Sequence, residues 1–216
     1  MKAAPLPFSV LESLESRLAP AGLGGVVNFT LTPAGALTIT GDVNANEFSI
    51  TQTGNQWTVT SLVNGADGTT FSFNGGAEQT SLSFAAPLSL KANLGAGHDE
   101  MVLVDTDIAK AVSINMGDGN DTLDFTGTKF QLTASVLMGN GDDYFTAGDG
   151  LTFNKGLTVD LGKGANTFDI NTSTLLSNGN ITASASGSAI EEQNFLLQAG
   201  TGTINGSLTL KTTTAS

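Results

Sequence analysis

Residues 112–125 read VSINMGDGNDTLDF, with two glycines and three aspartates between alternating apolar residues. Val112, Ile114 and Met116 alternate with other residues ahead of the first glycine, and Leu123 and Phe125 lie two positions apart after the turn. A period of two residues on both sides of a glycine turn is typical of a strand, a turn and a second strand with one face buried. A helical period of 3.6 residues fits neither half.

The pattern recurs along the chain. Three further copies align with it, so that the first glycines of the four turns are Gly95, Gly117, Gly139 and Gly162. Their nearly constant spacing, about 22 residues, is typical of a solenoid, in which each repeat buries its apolar face against its neighbours. A degenerate copy, LTITGDVNANEFSI at 37–50, places the start of the array near residue 35.

Coils of this length with short strands and small turn residues predict an all-β fold, a parallel β-helix over residues 35–216. Parallel crossovers are overwhelmingly right-handed, so we expect a right-handed helix. The alternative is an antiparallel sandwich, which gives no reason for one turn to recur at so regular an interval. Residues 57–84 alternate without the repeat register and are expected to form one or two irregular coils.

The segment 1–24 differs from the rest. Ser9 and Glu12 fit a capping box, and Pro20 would end a helix, so a short amphipathic helix is expected over residues 9–18. Its string LESLESRLAPA resembles the segment that opens many secreted, repetitive surface proteins of planctomycete bacteria. That resemblance implies a targeting role and a secreted or cell-surface location; capping of the solenoid is a compatible alternative.

Composition excludes several classes of protein. Eight Lys and Arg against 20 Asp and Glu give a net charge of −12, which argues against nucleic acid or an anionic membrane as a partner. Cysteine is absent, so no disulfide or thiolate site is expected. No apolar run is long enough to cross a membrane as a helix, so no transmembrane helix is predicted.

Acidic and amide residues concentrate in the repeated turns. Stacking puts equivalent residues about 4.8 Å apart, so Asp99, Asp121 and Asp143 would repel one another unless something compensates. Oxygen donors in flexible glycine turns suit Ca²⁺. The candidate ligands are Asp99, Asp118, Asp121, Asn140, Asp142 and Asp143. The structural alternative is that these side chains accept hydrogen bonds from backbone N–H groups two residues on, without a metal.

The turns GDGND and GNGDD resemble the Gly-x-Gly-x-Asp core of the RTX, or haemolysin-type, calcium-binding repeat. The resemblance implies that Asp99, Asp121 and Asp143 ligate Ca²⁺ between coils and that the paired glycines shape the turns. The pattern departs from the family in two ways. The leading glycine is Leu94, Met116 or Met138 here, and the interval between motifs is more than twice the nine residues of the family's repeat.

Catalysis is not expected. The one arginine, Arg17, lies in the N-terminal segment, and the one histidine, His98, has no second histidine beside which to form a relay or zinc site. We expect a non-catalytic structural or adhesive module whose partner is an extracellular polysaccharide or a surface protein. The alternative is a polysaccharide lyase or hydrolase, because stacked aspartates imitate the carboxylate spacing of retaining glycosidases. Trp57 and Tyr144 are the candidate exposed aromatic residues for contact with a sugar or a protein.

Overall fold

The computed structural model describes residues 24–63, 68–187 and 193–214 of the chain. This part of the protein is all-β and contains no helix. The helix expected over residues 9–18 lies outside the described residues, as does all of the segment 1–24 except residue 24.

Twenty strands form the described part of the chain. They are, in order, β1 Val26–Leu31, β2 Ala36–Thr40, β3 Glu47–Thr53, β4 Gln56–Ser61, β5 Thr70–Phe73, β6 Ser81–Ala85, β7 Ser89–Ala96, β8 Glu100–Val104, β9 Asp107–Ile108, β10 Val112–Asp118, β11 Thr122–Thr126, β12 Lys129–Phe130, β13 Ala134–Asn140, β14 Tyr144–Ala147, β15 Leu151–Phe153, β16 Gly156–Asp160, β17 Thr167–Ser177, β18 Asn180–Gly187, β19 Asn194–Ile204 and β20 Leu208–Thr214.

The strands stack in parallel columns that together make a β-helix of about five turns. One column runs β2, β7, β10, β13, β16, β18, β20. A second runs β3, β8, β11, β14 and the first part of β17, and a third runs β9, β12, β15 and the last part of β17. The register is the one expected from the repeat, since Ile114 pairs with Ala92 and with Val136. The parallel β-helix prediction is therefore confirmed.

The core lies between these columns. In the central coils, alternate side chains of the strands point inward and are buried, among them the phenylalanines Phe48, Phe125, Phe145 and Phe168. Stacking continues through the side chains, because the rings of Phe145 and Phe168 lie 5.1 Å apart and nearly parallel. The degenerate copy at 37–50 belongs to the same stack, since Phe48 and Ile50 pair with Met101 and Leu103.

The N-terminal end of the solenoid is closed by antiparallel strands. β1 pairs antiparallel with β2, β4 with β3, and β6 with β4. The expected irregular coils over residues 57–84 are therefore wrong. The cause is the two-residue turn at Gly54 and Asn55, which folds the chain straight back as a hairpin in which Thr53 pairs with Gln56.

Aromatic side chains fill this antiparallel cap. Phe29 contacts Phe48 and Phe71 edge-on at ring-centroid distances of 5.9 and 6.0 Å. Trp57 is completely buried against Phe84, and its indole N–H donates a hydrogen bond of 2.9 Å to Gln52. The expectation that Trp57 is an exposed contact residue is therefore wrong, because β4 turns it into the core.

Candidate functional site: the aspartate corner

The repeated glycine turns form one corner of the solenoid, between the columns that contain β10 and β11. Gly117 and Gly139 both have φ of +120°, a conformation that side chains disfavour. A Cβ atom on Gly117 would overlap the carbonyl oxygen of Gly95 in the coil before it. The glycines thus allow one coil to lie directly on the next at this corner.

Three carboxylates line the inside of this corner. Asp99, Asp121 and Asp143 are each no more than 2% exposed, and the buried amides Asn46 and Asn166 extend the column at its two ends. We call these five residues the inner ladder. The structure thus brings the three aspartates together in one stack, as the sequence predicts.

Each side chain of the inner ladder after Asn46 accepts a hydrogen bond from the backbone of the coil before it. The donor N–H groups and acceptor oxygens are Asn46 to Asp99 Oδ1 at 2.8 Å, Asp99 to Asp121 Oδ1 at 2.9 Å, Asp121 to Asp143 Oδ1 at 3.0 Å and Asp143 to Asn166 Oδ1 at 2.7 Å. The structural alternative placed the donor two residues on in the same turn, and the structure places it one coil earlier instead.

The corner itself explains this arrangement. Strand pairing between β7 and β10 stops at Asp118 and resumes between β8 and β11 at Thr122. Between them the N–H of Gly119 still donates to the carbonyl of Asn140, but the N–H of Asp121 donates to a side chain and not to a backbone carbonyl. A buried N–H without an acceptor is destabilising by about 1–3 kcal/mol. The aspartate oxygen supplies the missing acceptor.

The second oxygen of each carboxylate is buried and has no hydrogen-bond partner among the described residues. This holds for Oδ2 of Asp99, Asp121 and Asp143. Burial raises the pKa of Asp143 to about 7 and that of Asp99 to about 6, and it also raises the pKa of Asp121. A neighbouring aspartate adds to the rise in pKa for Asp99 and Asp143. Binding of either a proton or a cation would reduce the energetic cost of these buried negative charges.

The other three candidate ligands lie on the outside of the corner. Asp118, Asn140 and Asp142 are exposed. Asn140 donates a hydrogen bond of 2.6 Å to Asp118, whereas Asp142 accepts one of 2.7 Å from the N–H of Ala165. The six predicted ligands thus fall into an inner and an outer set. Within residues 24–63, 68–187 and 193–214, no three His, Asp or Glu side chains are grouped to hold a metal ion.

A second polar ladder was not anticipated from the sequence. Side-chain hydrogen bonds join Asp107, Gln131, Asn154, Asn178 and Asn205 along another corner of the solenoid. The spacings along it vary from 23 to 27 residues, so the glycine alignment does not reveal it. The sequence pattern that indicates this ladder is an amide residue directly after the buried phenylalanine that ends β12 and β15.

The outer surface of the second column is acidic. Glu47, Glu100 and Asp124 lie there, and the pKa of Glu100 is raised by burial and by the other two carboxylates. Tyr144 is 40% exposed, as expected, and its hydroxyl donates to Asp169 at 3.3 Å.

No protein-family model, curated protein or solved structure matches this chain. What the residues do must therefore be inferred from the geometry.

Proposed function

We propose that this chain is a non-catalytic structural or adhesive module that acts outside the cell or at its surface. The observation that carries the proposal is the inner ladder, whose carboxylates bind backbone N–H groups of the preceding coil. These aspartates hold the solenoid together, and at 1–2% exposure a sugar cannot approach them. The extracellular assignment is supported by the N-terminal resemblance. In the described part of the chain, no helix is long and apolar enough to cross a membrane.

The adhesive part of the proposal is tested by presenting polysaccharides to the protein. We expect retention of the protein on an immobilised polysaccharide with no new reducing or unsaturated ends in solution. Tyr144→Ala should weaken retention because this ring is exposed on the second column, whereas Leu137→Ala, at a residue of similar exposure on the first column, should not.

The competing enzyme hypothesis predicts the opposite result. If new reducing or unsaturated sugar ends accumulate with time, in proportion to protein concentration, the chain is a lyase or hydrolase and the non-catalytic proposal is wrong.

Calcium binding at the inner ladder is a second candidate function. The observation that favours it is the set of three buried Oδ2 atoms without partners. Each ion would lie between two successive carboxylates, Asp99 with Asp121 or Asp121 with Asp143, and turn carbonyls would complete an oxygen shell of about six to eight ligands. Bound Ca²⁺ would neutralise the stacked carboxylates and stiffen the corner.

Thermal unfolding in Ca²⁺ and in a chelator tests this candidate. A cation at a hundred times its Kd stabilises the folded state by about 2.7 kcal/mol per site, so the melting temperature should rise clearly. Asp121→Asn should abolish the rise, and Asp118→Asn, on the outside of the same corner, should not. An unchanged melting temperature at millimolar Ca²⁺ would remove the metal and leave the hydrogen-bonded ladder as the role of these residues.

A further inference from the structure

The two ends of the solenoid differ. β1, β4, β5 and β6 cover the N-terminal end, whereas none of the described residues covers the last coil, formed by β19 and β20. Within the part of the chain that the structure describes, β20 is the outer strand of its sheet and pairs with β18, and β19 pairs with β17. No strand among the described residues pairs with the other edge of β19 or of β20.

The inward side chains of the last coil are exposed for the same reason. Leu197, Leu208 and Leu210 are 36–41% exposed. Their counterparts one coil earlier, Ile170, Ile181 and Ala183, are completely buried. Among the described residues, the core of the solenoid thus opens at this end as an apolar surface framed by the outer edges of β19 and β20. Long edges with little charge, here Lys211 alone, readily pair with another strand.

We propose that a second copy of this chain covers this end, so that two solenoids join through their last coils. Two strands related by a twofold axis pair antiparallel, and the same edge then satisfies the hydrogen-bonding groups of both copies. The two cores become continuous, and the leucines are buried.

Charge favours a second copy as the occupant. The net charge of the chain is −12, so most relative orientations of two copies bring acidic surfaces together. Residues 193–214, in contrast, contain a single charged residue, Lys211. Two copies can therefore meet at this end with little electrostatic repulsion.

The size of the surface also suits a stable dimer. The whole of the segment 193–214 belongs to the last coil in each copy. Specific interfaces use about 20–30 residues on each side, so the last coil alone approaches the usual number.

The test is the mass of the full chain in solution, measured by light scattering and sedimentation over the micromolar range. We expect a dimer. Leu210→Lys should raise its dissociation constant at least about a hundredfold, because each dimer would then bury two unpaired ammonium groups. Leu137→Lys is the matched control, since Leu137 has the same 41% exposure but lies in β13, away from the end. Circular dichroism checks that both variants remain folded.

Spin labels give a readout that does not depend on a destabilising substitution. The chain has no cysteine, so Thr203→Cys in β19 and Thr58→Cys in the cap each introduce one label per copy. Joining through the last coils predicts a short distance between the Thr203 labels. The Thr58 labels should be roughly 50 Å apart or more, from about five coils per copy at about 4.8 Å each.

Three outcomes would overturn the proposal. They are a monomer at every concentration, a dimer that Leu210→Lys leaves intact, and a Thr58 label pair closer than the Thr203 pair. A dimer that appears only after deletion of residues 1–23 would show that the N-terminal segment, not a second copy, covers the end in the intact chain.

Discussion

Single carboxylates carry the most specific chemistry of this protein. Asp143 is buried, uses one oxygen as an acceptor for Asp121 N–H and leaves the other without a partner. Asn166 occupies the next position of the same ladder and accepts the N–H of Asp143 through its amide oxygen. An amide oxygen can therefore accept the backbone N–H of the preceding coil without placing a charge in the interior.

Asp143→Asn should therefore stabilise the protein in a pH-dependent way. The folded-state pKa of Asp143, about 7, is raised from 3.8, so the folded state binds a proton that the unfolded state releases between these values. The stability that this group contributes is fully present below pH 3.8 and is lost as the pH rises through about 7.

Denaturant unfolding at about pH 8 and about pH 5, in the absence of calcium, measures this effect. We expect Asp143→Asn to raise the free energy of unfolding by about 1–2 kcal/mol at the higher pH and by clearly less at the lower one. Asp118→Asn removes the same formal charge from the exposed side of the corner and controls for net charge. An equal gain at both pH values would show that Asp143 does not hold the proton.

The contact between successive strands at the corner depends on glycine. Gly117→Ala places a methyl group against the carbonyl oxygen of Gly95, and the φ of +120° adds strain. Gly54→Ala is the matched control, because Gly54 also has positive φ, +61°, but no atom lies within 4 Å of the added Cβ.

We expect Gly117→Ala to lower the free energy of unfolding by at least about 2 kcal/mol more than Gly54→Ala. Chemical denaturation of the two variants side by side measures the difference. Equal losses would mean that conformational strain alone, and not the close contact between coils, requires glycine at the corner.

The strands show what could be predicted from the sequence. Repetition of β7, β10 and β13 fixed the register, because a constant repeat length has to bring Gly95, Gly117 and Gly139 together. The cap could not be predicted in this way, since β4 and β6 repeat no other strand. The signal for it is local: Gly54 and Asn55 lie between two alternating runs, a pattern that is typical of a hairpin. The repeat predicted that Asp121 stacks on its equivalents in neighbouring coils. It did not predict that this side chain is buried inside the corner, because charged residues are ordinarily expected at the surface.

The solenoid should also be unevenly stable along its axis. Each coil contacts only its neighbours, so the coil with one neighbour is the least protected. We expect amide hydrogen exchange to be fastest in β19 and β20 and slowest in β8, β10 and β11, which have paired strands on both sides.

Mass spectrometry at low and high protein concentration measures this gradient. If two copies join through their last coils, exchange in β19 and β20 should slow as concentration rises, while β10 serves as the internal control. Uniform exchange along the chain would contradict stacking of separable coils.

The antiparallel cap has a consequence for growth. A rod whose two ends both self-associate polymerises without limit. A rod with only one self-associating end forms a closed dimer. The outermost described strands at the N-terminal end of the solenoid are short, β5 with four residues and β6 with five, so they make poor templates for further addition. Joining through the last coils, as proposed, would therefore end at two copies and would not continue into a fibre.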